Sequence, residues 1–289
     1  MRESPVVSVC MITYGHEKHI DQAIEGVFVQ ETNFPVELII ANDASPDRSH
    51  EIIVNLIKEP PERVCVNYIN NTNNIGAIPN FYSALGNCNG KYIAICEGDD
   101  YWTDSKKLQK QIDFLEKNPD FSASFHDVQT IYNDKIISFL EDRGNTISNP
   151  VFLNNLLESD WLIPTCSYVF RKENMVLPPF YPKMRFGDFI LFCCTLINSK
   201  AKYFEEIMGA YRRNNTSSLT NETKMLGIIS LKTDYIEFLN WLRKSATGSD
   251  IIHIDNRLNK EIKEIREQIV IYQNSHFSKA YFALRKIWK

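Results

Sequence analysis

Four short, unbroken apolar segments alternate with amphipathic stretches across the first hundred residues. This alternation limits the fold more than any other feature of the chain. Val6 to Thr13 (VVSVCMIT), Val36 to Asn42 (VELIIAN), Val64 to Asn70 (VCVNYIN) and Tyr92 to Cys96 (YIAIC) are rich in β-branched residues. Runs of that length and character suit strands buried on both faces of a parallel sheet. Between them Ile20, Ala23, Ile24, Val27 and Phe28 fall on one helical face. Ile52, Ile53, Leu56 and Ile57 form a second such face, which Pro60-Pro61 closes. Phe81, Tyr82, Ala84 and Leu85 form a third, behind Pro79 at a helix start. Strands alternating with helices in this way predict βαβ units, with helices on both faces of the sheet. Such sheets bind ligands outside the carboxyl ends of their strands. The rule marks Thr13–His16, Asn42–Asp47, Asn70–Asn80 and Glu97–Trp102, all polar or turn-like.

The rest of the chain reads less regularly. Asp104 is the expected N-cap of a helix carrying Leu108, Gln111, Ile112 and Leu115, ended by Asn118-Pro119. Strand-like pieces follow at Phe121–Tyr132, Lys135–Leu140, Thr165–Arg171 and Lys202–Ala210, with helical ones at Val151–Glu158 and Asp188–Asn198. From Glu222 the pattern becomes that of long helices interrupted at Ser245–Asp250, with Leu258, Ile262, Ile265 and Ile269 on a narrow stripe. This divides the chain into a domain over residues 1–220 and a helical extension over 221–289.

A net charge of −4 argues against nucleic acid as the partner of the whole chain. The longest apolar run, Phe189 to Ile197, already contains Thr195 and falls short of the ~20 residues of a membrane span. The amino terminus shows no signal-peptide core. The seven cysteines include no C-x-x-C pair, and most sit within apolar patterns. They read as buried thiols in a reducing cytoplasm, with no zinc site expected.

Glu97-Gly98-Asp99-Asp100-Tyr101-Trp102 directly follows a buried strand. Adjacent carboxylates there repel unless a cation or donor compensates them. A hard cation takes few protein carboxylates and fills its shell with phosphate oxygens and water. The pair therefore suits a metal–diphosphate site; a solvated acidic turn is the competing reading. Asp43 ends the second strand on the same rim, where an acid can accept from a ribose or base, or simply form an Asx-turn before Ser45-Pro46.

Taken together, the segments resemble family 2 glycosyltransferases. Val7-Ser8-Val9-Cys10-Met11-Ile12-Thr13-Tyr14 is similar to that family's opening strand, and Gln30-Glu31-Thr32 follows at its distance. Glu37-Leu38-Ile39-Ile40-Ala41-Asn42-Asp43-Ala44-Ser45-Pro46-Asp47 resembles the "EIIVVDDGSTD" segment, and Asn73-Asn74-Ile75-Gly76 the "N-x-G" loop. Glu97 to Trp102 resembles "DGDD-x-W/Y", the place of the DxD motif. The likeness runs from about Val6 to Arg213. It implies an α/β GT-A fold: a Rossmann-like, mostly parallel nucleotide-binding sheet fused to an acceptor-binding half. It further implies that Thr13, Tyr14, Asp43 and Gly76 hold the donor nucleotide, with Asp43 against the base. Asp99 would contact the ribose and share the metal with Asp100, Mn²⁺ or Mg²⁺ being the cofactor. Gly187-Asp188-Phe189-Ile190-Leu191 resembles the "E-D-x-x-L" element, whose Asp is the general base of inverting members; that role falls to Asp188. A helix N-cap is its alternative.

Three departures stand out. Asn42 occupies a position that is often Asp, Gly187 one that is commonly Glu, and Asn214 the His position of a "Y-R-x-H" segment, Tyr211-Arg212-Arg213-Asn214. The loop Ala77-Ile78-Pro79 also lacks a basic residue sometimes found there. Arg212 and Arg213 are candidates to neutralise phosphate, or exposed surface arginines. Tyr101 and Trp102 read as an aromatic sugar wall or as packing, His126 as a structural histidine, and His16 and His19 as residues beside the first nucleotide loop or simply surface positions. The tail places Phe277, Tyr281, Leu284 and Trp288 on one helical stripe among basic residues. Such a helix suits peripheral contact with the inner membrane face, or packing on the domain or on a second subunit as a homodimer. The implied activity is transfer of a sugar, from a UDP-sugar by family habit, to a glycan or lipid-linked acceptor of the cell envelope. The alternatives are a catalytically silent nucleotide-sugar-binding module and a sugar-nucleotide pyrophosphorylase. Thr13-Tyr14-Gly15-His16-Glu17 lacks the Gly-rich loop of the latter.

Overall fold

The structure is a computed structural model, described for residues 4–132, 135–144, 147–159, 162–213 and 221–287. Two compact units emerge, Met1–Asn214 and Asn215–Lys289.

In the first unit the predicted alternation is realised nearly residue for residue. Strand β1 (Val7–Thr13) leads through α1 (Ile20–Phe28) to β2 (Val36–Asn42), then through α2 (Ser49–Leu56) to β3 (Val64–Asn70), and through α3 (Ala77–Gly86) to β4 (Tyr92–Ile95). These strands lie side by side in the order β3-β2-β1-β4, all parallel. The odd positions of β1 (Val7, Val9, Met11) are buried in one core with Ile20, Ala23, Ile24 and Val27 of α1 and Ile53 of α2. On the other face Cys10 lies beside Cys88, just past α3, and Asn80 of α3 donates to the Ala41 carbonyl of β2 at 2.9 Å. The helices thus cover both faces. β3 is an edge strand, which explains why Cys65 is exposed while the other six thiols are buried.

The second half completes the sheet with mixed pairing. It comprises β5 (Tyr101–Trp102), α4 (Lys107–Lys117), β6 (Ala123–Tyr132), β7 (Lys135–Ser138), α5 (Phe139–Arg143), β8 (Val151–Phe152), α6 (Leu153–Glu158), β9 (Val169–Arg171), α7 (Gly187–Leu196) and β10 (Lys200–Arg212). The sheet continues β4-β9-β6-β10-β5, with β9 antiparallel to both neighbours, β10 parallel to β6, and β5 antiparallel to β10.

Several boundaries differ from the periodicity. The strand expected over Lys135–Leu140 stops at Ser138, whose hydroxyl caps the short helix α5 by accepting from the Glu141 amide. The helix expected over Val151–Glu158 begins with two strand residues, because Val151 and Phe152 pair with β10. Thr165–Ser167 forms a 3₁₀ turn before β9. Asp104 stands three residues before α4; its carboxylate accepts from the Lys106 amide and from Lys110 Nζ, each at 2.8 Å. It therefore organises the turn that leads into the helix.

Arg171 ties the two halves of the sheet together. It is buried at the end of β9. Its guanidinium donates to the Phe121 carbonyl and the Tyr92 hydroxyl, each at 2.9 Å, and also to the Leu115 carbonyl.

The second unit is a pair of helices, α8 (Asn221–Arg243) and α9 (Ser249–Ile287). Arg243 pairs with Asp255, and Lys232, farther back along α8, pairs with Glu261 and Glu264, farther along α9. The helices therefore run antiparallel. No helix among the described residues is long and apolar enough to cross a membrane. The tail residues Phe277, Tyr281, Leu284 and Trp288, and Asn214, lie outside the described side chains.

Lysine cannot reproduce the planar fork of Arg171 and would leave buried carbonyls without donors. Arg171→Lys is expected to lower stability by about 2–4 kcal/mol, measured by denaturant unfolding. An unchanged midpoint would show that the fork is dispensable.

Candidate functional site

The carboxyl ends of β1, β2 and β4 converge on an open cleft of about 320 Å³. Of the residues expected to bind the donor, Thr13, Tyr14, Asp43, Gly76 and Asp99 all line it. Asp100, Arg212 and Asp188 do not; they stand behind or beside its wall.

Each position follows from local structure. Thr13 ends β1, and its carbonyl accepts from the Asp43 amide at 2.9 Å, which locks the ends of β1 and β2 together. Its hydroxyl is buried without a hydrogen-bond partner. Tyr14 is 49% exposed, its ring free to meet a planar ligand. Asp43 is buried and works as a loop anchor. Its Oδ1 accepts from the Ile75 amide and from Asn71 Nδ2, and its Oδ2 from the Gly76 amide, each at 2.9 Å. The Asx-turn weighed for Asp43 belongs to Asn42 instead, whose Oδ1 accepts from Ser45. Asn42 also donates to Asn70 at 2.9 Å, so the amide at this position has a structural use that a carboxylate lacks.

The acidic turn after β4 is clamped from two sides. The Gly98 amide donates to the Ile12 carbonyl at 2.9 Å, and a Cβ there would stand 2.8 Å from Thr13 Cβ. Glycine is thus required by close approach to β1, which brings Glu97 and Asp99 to the cleft beside Thr13. On the other side, β10 pairs with β5, and the Arg212 amide donates to Asp100 Oδ1 at 2.9 Å. The Arg212 guanidinium donates to the Asp99 carbonyl at 2.6 Å and to Gln22, and lies 4.6 Å from the Tyr101 ring. Arg212 is thereby committed to holding the turn, and Arg213 to an exposed ion pair with Asp142 at 3.4 Å. Trp102 is buried packing: its indole donates to the Cys166 carbonyl at 2.7 Å, and buried Lys107 sits 4.0 Å from its ring. Burial pushes the Lys107 ammonium down to about 7. His126 is buried as well, donating from Nδ1 to the Asp127 carbonyl, with burial holding its pKa well below the usual range.

The charges of this turn are poorly compensated. Asp100 is 1% exposed and its Oδ2 has no partner. Burial, then the Asp99 charge, push its carboxyl well above the ordinary range. Glu97, on the cleft wall, is pushed up in the same direction by burial and by the charges of Asp100, Asp99 and Asp188. No group of three or more His, Cys, Asp or Glu among the described residues forms a ready cation cage. The orphaned oxygen of Asp100 beside Asp99 nonetheless fits a hard cation that draws its remaining ligands from phosphate and water.

Two cleft residues, Glu97 and His16, lie in segments that the strand-end rule marks but carry no role of their own in the sequence reading. Glu97 was quoted only as part of a motif, although its place one residue beyond the last apolar position of a strand was a signal. His16, read as beside the first nucleotide loop or as a surface position, lines the cleft with Nε2 3.8 Å from Asp99 Oδ2. Nothing in the local pattern separated it from His19.

Asp188 opens α7. Burial raises its carboxyl, and its charge acts on Glu97 across the wall. Gly187, in place of a common Glu, has a steric reason. A Cβ there would lie 2.6 Å from Ile78 Cδ1 of α3 and 2.9 Å from the Tyr181 hydroxyl, which itself donates to the Gly187 carbonyl at 3.0 Å. Side-chain loss lets the start of α7 seat against α3, whose own first residue lines the cleft.

A sequence model of the family described as Glycosyl transferase family 2 matches residues 8–171. An uncharacterized protein of Mycobacterium tuberculosis is 42% identical over 128 residues, which make up 44% of this chain and only 36% of that relative's length. Among solved structures, S. aureus TarS 1-349 in complex with UDP-GlcNAc is similar with a TM-score of 0.66 at 14% identity, over 89% of this chain and 71% of that one. The mannosyltransferase PcManGT from Pyrobaculum calidifontis, in complex with GDP-Man and Mn2+, is similar with a TM-score of 0.57 at 13% identity, over 98% of this chain and 81% of that one. At these identities the likeness concerns the fold, which is the GT-A architecture.

Two outcomes follow from this geometry. Gly187→Ala is expected to cost about 1–3 kcal/mol through overpacking against the buried Tyr181 hydroxyl. Adding Ile78→Val, which removes the nearer clash, should return part of that loss in a double-mutant cycle; strict additivity would mean that the two sites do not touch. Glu97 and Asp100 bind protons more readily folded than unfolded. Their favourable contribution is complete below the ordinary carboxylate range of about 4 and is lost as pH rises through their elevated folded values. Glu97→Gln should therefore raise the melting temperature of cation-free protein at pH 8 and leave it nearly unchanged at pH 4; equal shifts at both would discount the charge crowding.

Proposed function

Because the chain belongs to glycosyl transferase family 2, we propose that it moves a sugar from a nucleoside-diphosphate sugar to an acceptor hydroxyl, with a divalent cation on the diphosphate and inversion at the anomeric carbon. The observation that carries this reading is the single cleft in which Thr13, Tyr14, Asp43, Gly76 and Asp99 meet at the strand ends, with the unpartnered Asp100 oxygen directly behind.

The family's pattern supplies the roles in this reading, and the placement of the side chains is compatible with them. Tyr14 offers a face for the base, while Asp43 and the loop it anchors bound the nucleoside. Asp99 reaches the ribose side and, with Asp100, would hold Mn²⁺ or Mg²⁺. When bound, the cation supplies Lewis-acid stabilisation of the departing diphosphate, worth several kcal/mol of barrier. Arg212 orients the acidic turn from behind, so that both carboxylates are set before substrate arrives. Asp188 is the general base. It takes the proton of the acceptor hydroxyl as that oxygen bonds to the anomeric carbon and the bond to the diphosphate breaks. Its raised pKa moves it toward the range in which a carboxylate base is effective.

A UDP-sugar is the favoured donor, in keeping with the UDP-GlcNAc complex of TarS, and a hexosyl or N-acetylhexosaminyl group the favoured cargo. The acceptor is a glycan or lipid-linked glycan of the cell envelope.

A thermal-shift panel of UDP- and GDP-sugars with and without Mn²⁺ tests donor and cation together, because a ligand that binds only folded protein raises its melting point. Asp100→Asn should abolish the increment that Mn²⁺ adds. Asp188→Asn should keep the donor-induced shift and lose about 10²–10⁴-fold in turnover. A donor-independent melting point throughout would refute the reading, and wild-type turnover in Asp188→Asn would remove that residue from the base's role.

A further inference from the structure

Asp188 borders a second, smaller cavity that shares no lining residue with the cleft at the strand ends. This slot, with room of about 20 Å³ for a water-sized or methyl-sized group, is walled by Leu156, Leu162, Ile163, Phe189 and Phe192, with Asp188 and Ser159 also in its lining. It adjoins a wider open pocket of about 360 Å³ across two residues common to both linings, Ser159 and Leu162. The outer pocket differs in kind. Ser148, Asn155 and Ser159 bring hydroxyl and amide groups that both donate and accept, beside the hydrocarbon of Ile147 and Leu162.

A sugar ring has hydroxyl edges and C–H faces, which is the mixture the outer pocket offers. The inner slot is different: its walls carry hydrocarbon, and among the described lining side chains only Ser159 and Asp188 can partner a buried hydroxyl. Burying a hydroxyl unpartnered is unfavourable, whereas burying a methyl group is favourable. The slot is also too tight for a whole ring beside the carboxylate, but has room for a small substituent projecting from one.

We propose that the slot beside Asp188 selects an acceptor sugar carrying a methyl group, either the acetamido methyl of an N-acetylhexosamine or the C6 methyl of a 6-deoxyhexose, while Ser148, Asn155 and Ser159 bind hydroxyls of the same glycan in the outer pocket. This rests on Asp188 being the base, because the substituent's seat then lies next to the hydroxyl that reacts. Leu162, shared by both cavities, is the residue that sets the width between them.

Saturation-transfer NMR on the full chain with UDP and Mn²⁺ tests the proposal with two pairs of probes. Methyl N-acetyl-β-D-glucosaminide is compared with methyl β-D-glucoside, and methyl β-D-fucoside with methyl β-D-galactoside. In one pair the methyl-bearing member should bind at least about 10-fold tighter, the lower end of what one such group contributes in a fitted apolar pocket, with the strongest transfer at that methyl. The pair that discriminates identifies the source of the methyl. Leu162→Phe, which fills the slot, should abolish the preference, and Ser159→Ala should weaken both members of the pair equally. Should Leu162→Phe fold poorly, Phe192→Leu, which widens the slot, should shrink the ratio instead. Equal binding within both pairs, no binding of either, or a preference that survives these slot variants would overturn the proposal. The UDP-induced melting shift, read on the same samples, reports the donor site independently, so its loss counts against the proposed function and its persistence against the acceptor inference alone.

Discussion

Like charges held together where water is scarce repel one another, and the turn between β4 and β5 gathers Glu97, Asp99 and Asp100 within four residues. Left alone, such a turn would splay into solvent. Here it is fastened through the backbone: the Gly98 amide to β1 on one side, and the Arg212 amide to Asp100 on the other. The second fastening comes from β10, more than a hundred residues later. This gives the mixed-pairing half of the sheet a purpose for the parallel half. The βαβ layer holds the turn at Gly98; the returning strand adds the second fastening, at Asp100 itself. Fixed charges that need no rearrangement when the reaction begins are the most effective kind.

Asn42 and Asp43 divide a similar task. The amide at Asn42 can donate to Asn70 and accept from Ser45 at once, so it knits β3 to the loop after β2. The carboxylate at Asp43 only accepts, and collects three donors from one short loop. Two neighbouring residues of nearly equal size thus take different structural duties, one joining strands and the other gathering a loop, on the ground of donor capacity alone.

The parallel half was legible because its information is local. β2 and β3 begin and end where the apolar runs do, although only β2 is buried along its whole length, while β3, at the sheet edge, alternates in burial and carries Asn67 at its middle. The strand-end rule then located the cleft before any coordinate. The second half was less legible because its boundaries depend on partners distant in the chain. Val151 and Phe152 look helical until β10 is known, and β5 is a strand solely through pairing with Gly209 and Ala210. Type and position were enough to put Asp43 and Asp99 on the lining of the cleft. They did not show the commitment of Arg212 to the turn, because an arginine's partners are set by tertiary geometry. The approach of His16 to Asp99 was hidden for the same reason.

The glycine that opens α7 has a mechanical consequence. With no side chain at Gly187, the helix end rests directly on Ile78 and Tyr181, and Ile78 sits two residues beyond the loop gripped by Asp43. The seat of Asp188 and the wall of the cleft therefore meet on one hydrocarbon bearing, Ile78, with no side chain at Gly187 to hold them apart.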